Sequence, residues 1–237
     1  MRLGPAARRI RGSLSSIGLT HTLHDLALRA ANRVMLIKVL KCMAIERVNP
    51  AFATCPEPYR AMFLGKPMLR ELCREPANEM TESFLDEALS KDDECFGVLA
   101  GDTLASYGWY SRGPTRIDPP GLVFHPGDRY VYMYKGFTHL GHRGHRLHAI
   151  GMTLALQDYL ARGFKGLVSY VESNNFSSLH SVVRMGYEIF GTIDVLKPFG
   201  IYLTHASAGC RARGVRVEPA LPGPMTRAAA LAGGPRP

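Results

Sequence analysis

The stretch Tyr130-Val-Tyr-Met-Tyr-Lys-Gly-Phe-Thr-His-Leu-Gly-His-Arg-Gly-His-Arg-Leu-His148 decides how this chain folds. Its first half is aromatic and β-prone, which is typical of a strand, and its second half is a basic turn containing Gly141 and Gly144. An amphipathic segment then continues to Arg162, and a second apolar run follows at 166–171. This order predicts a strand, a turn, a helix and a second strand, which together form a β-α-β crossover.

The remaining segments predict the rest of a mixed α/β domain. We expect a helix from Thr20 with Leu23, Leu26 and Ala30 on one face. Periodicity permits either a helix or a strand over 36–48, and we favour a strand at 37–46. Further along the chain we expect helices at 59–74 and 81–89, a hairpin about Gly101-Asp102, an irregular loop at 112–128, a helix ending at Met185-Gly186-Tyr187, and strands at 188–196 and 199–205. The natural arrangement of these elements is a central sheet flanked by helices.

The net charge of +9 is located at the two ends of the chain. Residues 1–38 hold seven Lys and Arg and one acid, and residues 207–237 hold five Arg and one acid. The middle keeps 17 basic and 18 acidic residues, so we do not expect specific binding of nucleic acid. We predict a flexible basic tail at 1–19, a folded domain at 20–206, and a disordered Ala/Gly/Pro/Arg-rich tail at 207–237.

The composition predicts a soluble, cytoplasmic protein. The hydrophobic content of 46% is enough to bury a core. The five cysteines are scattered and form no Cys-x-x-Cys pair, which argues against a disulfide framework or a zinc site. The longest apolar run, 34–45, contains Lys38 and Lys41 and is too short to span a bilayer, and no secretory signal is visible.

The turn at 139–148 has the chemistry of an anion site. A strand that enters a helix through Gly141, Arg143 and Gly144 leaves backbone N–H groups free at the positive end of the helix dipole. This pattern predicts a phosphate-bearing cofactor, although the turn matches neither the P-loop nor the dinucleotide fingerprint.

The segment from Phe137 to His148 resembles motif A of the GNAT N-acetyltransferase superfamily, in which a strand is followed by an Arg-Gly-x-Gly-x-Gly/Ala turn. Asn175, Ser178 and Met185-Gly186-Tyr187 match that family's Asn-x-x-Ala pattern and its closing Gly-Phe/Tyr. The resemblance covers roughly residues 35–206. It implies the GNAT fold, a mixed and mostly antiparallel central sheet flanked by helices with a central β-α-β crossover.

The resemblance also implies that acetyl-CoA, or another acyl-CoA, is the acyl donor. Its pyrophosphate would bind the backbone of the turn, and its pantetheine arm would lie along the end of the first crossover strand as an added strand does. The implied cofactor-binding residues are Phe137, Thr138, His139, Arg143, Gly144, His145, Arg146, Leu147, His148 and Asn175.

Three positions depart from the family pattern. Arg146 stands where the family has its middle glycine, and His148 stands at the final Gly/Ala. We expect both to be helical, so that neither needs a positive φ. Val182 replaces the tyrosine that many members use to protonate the leaving thiolate, which valine cannot do.

Two residues are candidates for the general base that an amine acceptor needs, because an alkyl ammonium in water has a pKa of ~10.4. Glu172 ends the second crossover strand, and His139 ends the first. Each has a structural alternative, a capping or solvent-facing carboxylate for Glu172 and a loop imidazole for His139. No cysteine stands at an obvious nucleophile position, so we expect the amine to attack directly.

Four histidines repeat every three residues in this region, which suggests a metal site at first sight. Three-residue steps drift around a helix, so the first and last side chains would face opposite ways. We therefore expect no metal at His139, His142, His145 and His148.

These features predict an N-acyltransferase that transfers an acetyl group from acetyl-CoA to a small-molecule or peptide amine. One alternative is a long-chain acyltransferase that contacts an anionic membrane through Arg29, Arg33, Lys38 and Lys41, although such a segment is more often a helix packed on its domain. Another alternative is a protein that binds acyl-CoA without turnover. The sequence indicates neither the acceptor nor the oligomeric state.

Overall fold

The computed structural model describes residues 19–32 and 35–220. Its helices and strands, in chain order, are α1 (Leu19–Ala31), β1 (Leu36–Ile45), β2 (Tyr59–Phe63), α2 (Lys66–Leu72), α3 (Glu82–Ser90), β3 (Glu94–Ala100), β4 (Thr103–Ser111), β5 (Thr115–Ile117), β6 (Leu122–His125), β7 (Tyr130–Thr138), α4 (Leu147–Ala161), β8 (Gly166–Glu172), α5 (Phe176–Met185), β9 (Glu188–Lys197), β10 (Leu203–Ala206), α6 (Ala208–Ala212) and β11 (Arg216–Pro219). Short 3-10 helices lie at Pro50–Phe52, Pro76–Asn78, Leu140–His142 and Pro198–Gly200.

An eight-stranded sheet organises these elements in the order β10-β9-β1-β8-β7-β4-β3-β2. The pair β7–β8 is parallel and is joined through α4, whereas the other neighbouring pairs are antiparallel. The predicted fold class, a mixed and mostly antiparallel sheet flanked by helices with a central β-α-β crossover, is confirmed.

Helices cover both faces of the large sheet. On one face α4 and α5 bury an apolar cluster that includes Met152, Leu156 and Tyr159 against Ile45 and Leu167. On the opposite face α2 and α3 pack over β3 and β4. Next to them lies a second, three-stranded sheet of order β11-β6-β5, whose residues share a core with β1 and β9.

The predicted helix at 59–74 is wrong in its first part. Residues Tyr59–Phe63 form the edge strand β2, along which alternate side chains are half-buried and exposed, as the pleat of a strand requires. Helix α2 begins only after Gly65, with Pro67 in its first turn. The predicted irregular loop at 112–128 likewise contains two short strands, β5 and β6, which pair with each other.

The first predicted helix exists, but it does not bury the face that the sequence suggested. Leu23 and Leu26 are exposed, whereas Thr22 is buried. The helix lies at the carboxyl end of β8, where His24 Nε2 is 3.1 Å from Ser173 Oγ and the Asn174 amide donates to Asp25 at 3.3 Å.

The boundary predicted at residue 207 is also wrong, because residues 207–220 are part of the folded domain. Here α6 buries Cys210, and β11 pairs with β6 and buries Val217. Val215 between them is buried as well. These few apolar residues alternate with Arg and Gly, so the average composition concealed them. Residues 1–18 and 221–237, which hold the rest of the predicted tails, lie outside the described residues.

Truncating the chain tests this boundary. Removing residues 207–237 should sharply lower the free energy of unfolding, since each fully buried side chain of this size contributes about 1.5–3 kcal/mol. Removing residues 221–237 alone is the matched control, and because their composition predicts a disordered tail, it should cost far less stability. Urea unfolding followed by circular dichroism measures both, and equal stability of the two truncations would contradict the packing role of α6 and β11.

Candidate active site

A gap opens between the two crossover strands. Strands β7 and β8 pair at Tyr130↔Gly166, Val131↔Leu167 and Tyr132↔Val168, and their described residues form no ladder pair beyond these. One side-chain bond follows, from Ser169 Oγ to the Met133 carbonyl at 3.0 Å. From there β7 runs on to Thr138 and β8 to Glu172. Beyond Tyr132 and Val168, therefore, no ladder pairs join the two strands across the gap.

A β-bulge turns β7 away from β8 at this point. Trp109 faces Lys135 on β7, but the next residue, Tyr110, faces Met133, so Tyr134 is the extra residue. Bulges of this kind bend a strand and are common beside active sites.

Beyond the bulge, the backbone of β7 alternates between two neighbours. The His139 N–H donates to the Ala105 carbonyl at 3.0 Å, and the Phe137 carbonyl accepts from Ser106 Oγ at 2.8 Å. Because successive residues direct their backbone groups to opposite sides, those of Gly136 and Thr138 face the gap. Of the three strand residues that the sequence suggested for main-chain contact with a cofactor, Thr138 is thus the one whose backbone is directed there.

The N-terminus of α4 lies just beyond the end of β7. No side chain among the described residues caps this helix. Its first N–H groups have no partner within the helix and carry its positive dipole end. Gly144 has φ +87° and is exposed, and a Cβ placed there would meet no described atom within 4 Å. His145 and Arg146 are exposed beside it.

Arg146 corrects one expectation from the sequence. It is the N-cap of α4 and adopts the left-handed conformation, with φ 60° and ψ 19°. The position of the family's middle glycine therefore does require a positive φ, which disfavours any residue with a Cβ. His148 is helical, as expected.

The ring of His148 packs directly over Gly136 of β7. A Cβ on Gly136 would lie 2.3 Å from His148 Cε1, so a glycine is needed opposite this imidazole. Burial lowers the pKa of His148 from its ordinary value near 6.5. His148 is consequently a neutral side chain that packs the first turn of α4 against β7.

Glu172 at the end of β8 is held by an ion pair. Lys38 of β1 donates to Glu172 Oε1 at 2.5 Å and to Asp118 Oδ2 at 3.2 Å. Burial alone would lower the pKa of Lys38, but the hydrogen bonds and charges of Glu172 and Asp118 raise it overall. Lys38 therefore holds the Glu172 carboxylate in place, and no sequence motif predicts this pairing.

His139 at the end of β7 is held by Asn78, a residue that the sequence analysis missed. Its Nε2 lies 2.8 Å from Asn78 Oδ1, while Asn78 Nδ2 donates to the Leu72 carbonyl at 2.8 Å. The Phe137 ring packs edge-on against the imidazole, with the ring centroids 4.9 Å apart. Asn78 lies in the connection between α2 and α3, far from His139 in sequence, and no motif marks it.

Three other residues named in the sequence analysis, Asn175, Arg143 and Val182, contact other parts of the protein. Asn175 Oδ1 caps α5 by accepting from the Ser178 N–H at 3.2 Å, so its oxygen is engaged within the helix. Arg143, also assigned to the cofactor, bends back and donates from Nε to the Thr138 carbonyl at 3.3 Å. Val182 is half-buried in the core under α4, and an aliphatic side chain there supplies no proton.

Residues 19–32 and 35–220 hold neither a candidate metal cluster nor a candidate membrane-spanning helix. Within these residues, no three His, Cys, Asp or Glu side chains come together as a group that could hold a metal ion. None of the helices that the structure describes has both the length and the apolar character needed to cross a bilayer.

Comparison with known proteins found no matching family model and no matching curated protein. Among solved structures, an aminoglycoside acetyltransferase from an uncultured soil metagenomic sample matches at 13% identity and TM-score 0.41, over 54% of this chain and 87% of that one. A GCN5-related N-acetyltransferase-like protein from Streptococcus suis matches at 11% identity and TM-score 0.47, over 78% and 68%. A GNAT-family acetyltransferase from Colwellia psychrerythraea matches at 13% and 0.46, over 68% and 55%. Likeness this distant assigns neither a family nor an activity to this chain.

Replacing Arg146 with glycine tests the strain in the turn. The left-handed conformation costs an ordinary residue about 1–2 kcal/mol, part of which glycine loses to its greater freedom in the unfolded chain. We expect Arg146→Gly to raise the free energy of unfolding by up to about 1 kcal/mol and Arg146→Ala to leave it unchanged or lower. Urea denaturation measures both variants, and a glycine variant no more stable than the alanine variant would contradict the assignment.

His148 should make stability depend on pH. Its pKa is lowered by folding, so below its ordinary value near 6.5 the unfolded chain binds a proton that the folded protein does not. Stability should therefore fall as the pH drops from about 7.5 to about 5.5, and His148→Gln should flatten this dependence. His145→Gln, which changes an exposed histidine of the same turn, should leave it unaltered. Urea midpoints across this pH range decide the matter, and identical slopes for all three proteins would contradict the buried neutral state.

Proposed function

We propose that this chain is an acyl-CoA-dependent N-acyltransferase of the GNAT type that transfers an acetyl group to an amine. The observation that carries the proposal is the meeting of two features at one end of the sheet. The gap between β7 and β8 offers unpaired backbone to an extended ligand. The uncapped N-terminus of α4, immediately beyond it, offers N–H groups to phosphate.

The turn at 143–148 fits a pyrophosphate. Gly144 leaves open space above the helix N-terminus, and the exposed Arg146 adds a guanidinium that can pair with phosphate oxygens. Leu147 and His148 supply the first helical N–H groups. Where a glycine would leave room for the pyrophosphate, Arg146 would instead contact the pyrophosphate through its guanidinium.

The gap fits the arm and the thioester. When bound, an acyl thioester supplies an activated carbonyl carbon to the amine. The backbone groups of Gly136 and the N–H of Thr138 face the gap and can bind an extended amide chain, whereas the Thr138 carbonyl already accepts from Arg143. Ser169, which already bonds Met133 across the base of the gap, sets the point where the two strands stop touching.

Of the two candidate bases, His139 is better placed than Glu172. The Glu172 carboxylate is already bonded to Lys38 at 2.5 Å, so an ammonium substrate would have to compete with a tethered ammonium. His139 is half-buried at the end of β7, beside an open cavity, and its ring is oriented by Asn78. We assign His139 as the base and Glu172 to an ion pair that holds the end of β8 to β1.

A charge placed in the turn tests the proposal. Gly144→Asp introduces a carboxylate where the pyrophosphate binds, so coenzyme A affinity should fall by roughly tenfold or more. Gly144→Asn carries the same left-handed strain without the charge, and Gly141→Asp places the same charge three residues earlier, before the segment 143–148 that is proposed to hold the pyrophosphate; both should bind nearly as wild type. Calorimetric titration with coenzyme A, acetyl-CoA and palmitoyl-CoA measures affinity, and release of free thiol in the presence of amines measures turnover.

The outcomes of these titrations distinguish acetyl transfer, long-chain acyl transfer and acyl-CoA binding without turnover. Binding that is lost in Gly144→Asp and kept in Gly144→Asn supports the phosphate turn. Preference for palmitoyl-CoA would replace acetyl transfer with long-chain transfer at a membrane. Binding without thiol release over many amines would favour a non-catalytic acyl-CoA-binding protein, and no binding of any of the three ligands would overturn the proposal.

A further inference from the structure

An open cavity of about 810 Å³ lies beside His139, on the face of the sheet covered by α2 and α3. Leu99 and Leu104 form part of its apolar lining, and Met68 and Leu72 of α2 complete that lining from the opposite side. A volume of this size accepts a small organic molecule, with apolar walls for its carbon chain.

The charged groups around this cavity are predominantly acidic. Glu71 is in α2, Glu75 is the N-cap of the 3-10 helix at Pro76–Asn78, and Asp102 lies at the turn between β3 and β4. Among the residues that line the cavity, Arg60 is the one lysine or arginine beside these carboxylates. A ligand with more than one positive charge is therefore better matched than a neutral or anionic one.

Asn78 lines this cavity together with His139, contacts the His139 ring, and is almost fully buried, with 4% of its surface exposed. Its backbone carbonyl accepts from the Tyr107 hydroxyl at 2.9 Å, and the next carbonyl, that of Glu79, accepts from Lys135 Nζ at 2.7 Å. These bonds attach the connection between α2 and α3 to β4 and β7. The position of Asn78 is thus determined by the sheet that carries His139.

The hydrogen bonds of Asn78 determine which nitrogen of His139 carries the proton. Because Asn78 Nδ2 donates to the Leu72 carbonyl, its Oδ1 faces the imidazole and can only accept. His139 Nε2 must then be the donor, which leaves the lone pair of the neutral ring on Nδ1. An asparagine that orients a histidine in one tautomer serves the same purpose as the third member of a catalytic triad.

We infer that the cavity beside His139 binds a diamine or polyamine acceptor, that His139 Nδ1 takes a proton from its bound ammonium group, and that Asn78 is the positioning residue for this base. The inference rests on the proposed function. In the step, the N–H bond of the ammonium breaks, its electron pair stays on the amine nitrogen, and the proton forms a bond to Nδ1. The neutral amine so produced has the lone pair that acyl transfer requires, and the proton leaves His139 through the open cavity to water.

The first test is equilibrium binding, with 1,4-diaminobutane and n-butylamine titrated into the full chain by calorimetry. The dication should bind roughly fivefold more tightly than the monocation, because its second ammonium pairs with the acidic rim. The double variant Glu71→Gln/Asp102→Asn should abolish that difference. Glu87→Gln, an exposed carboxylate of α3 outside the cavity, is the matched control and should retain it; Glu75 is left intact because its side chain caps the turn at Ala77.

The second test is the pH profile of kcat/KM with 1,4-diaminobutane. His139→Gln should lower kcat about 100-fold and remove the acidic limb of the profile. Asn78→Ala should lower kcat about tenfold, whereas Asn78→Asp, which still accepts from Nε2, should recover part of it and shift the acidic limb to higher pH, because a carboxylate favours the imidazolium. The titratable groups facing His139 across the cavity are Arg60, Glu71, Glu75, Asp102 and His142. The Glu71→Gln/Asp102→Asn variant shows how much of the acidic limb of the profile is due to these two carboxylates.

Several outcomes overturn the inference. Equal affinity for the two amines, or a difference that survives in Glu71→Gln/Asp102→Asn, removes the acceptor from this cavity. An acidic limb that persists unchanged in His139→Gln and Asn78→Asp removes the base. Coenzyme A titrated into the same preparations separates the two proposals: coenzyme binding without diamine binding overturns this inference alone, whereas diamine binding without coenzyme binding leaves the cavity assigned and overturns the transferase.

Discussion

The parallel pairing of β7 with β8 is the interaction on which the rest of the site depends. It lasts for three residue pairs and stops next to the bulge at Tyr134, which bends β7. Had the ladder continued to Thr138, the backbone groups of β7 that face the gap would instead be hydrogen-bonded to β8. The same short pairing places α4 across the end of the strands, so that its uncapped N-terminus and the open backbone are neighbours.

The two ends of the crossover strands are held by different chemistry. Glu172 on β8 is bound by charge, through Lys38 of β1, whereas His139 on β7 is bound by neutral hydrogen bonds through Asn78. The Glu172 carboxylate already has a cationic partner, whereas an imidazole that donates through Nε2 to an amide keeps its other nitrogen available. This difference, and not position alone, separates a structural residue from a candidate base.

The sequence predicted the crossover, the turn and the hairpin because their signals are local: alternation along β7, glycines in the turn, and Gly101-Asp102 between two apolar runs. It failed where a long-range contact decides the outcome. Residues 59–63 became a strand because β3 offers an edge, and Val217 was buried because β6 offers another. Asn78 and Lys38 are likewise defined by partners that are distant in sequence. The positive φ of Arg146 was missed for another reason, since an arginine there gives no sign of the conformation that a glycine would reveal.

The place of β1 in the sheet has a consequence for how the chain is made. Among the strands that the structure describes β1 comes first in the chain, yet it lies between β8 and β9, so its partners at Gly166–Glu172 and Glu188–Lys197 are synthesised far later. Contacts of such high sequence separation form slowly and leave apolar strand edges uncovered in the meantime. During translation Leu40, Met43 and Ile45 therefore emerge long before the surfaces that bury them, and the nascent chain must be kept from aggregating through β1 until β9 has emerged.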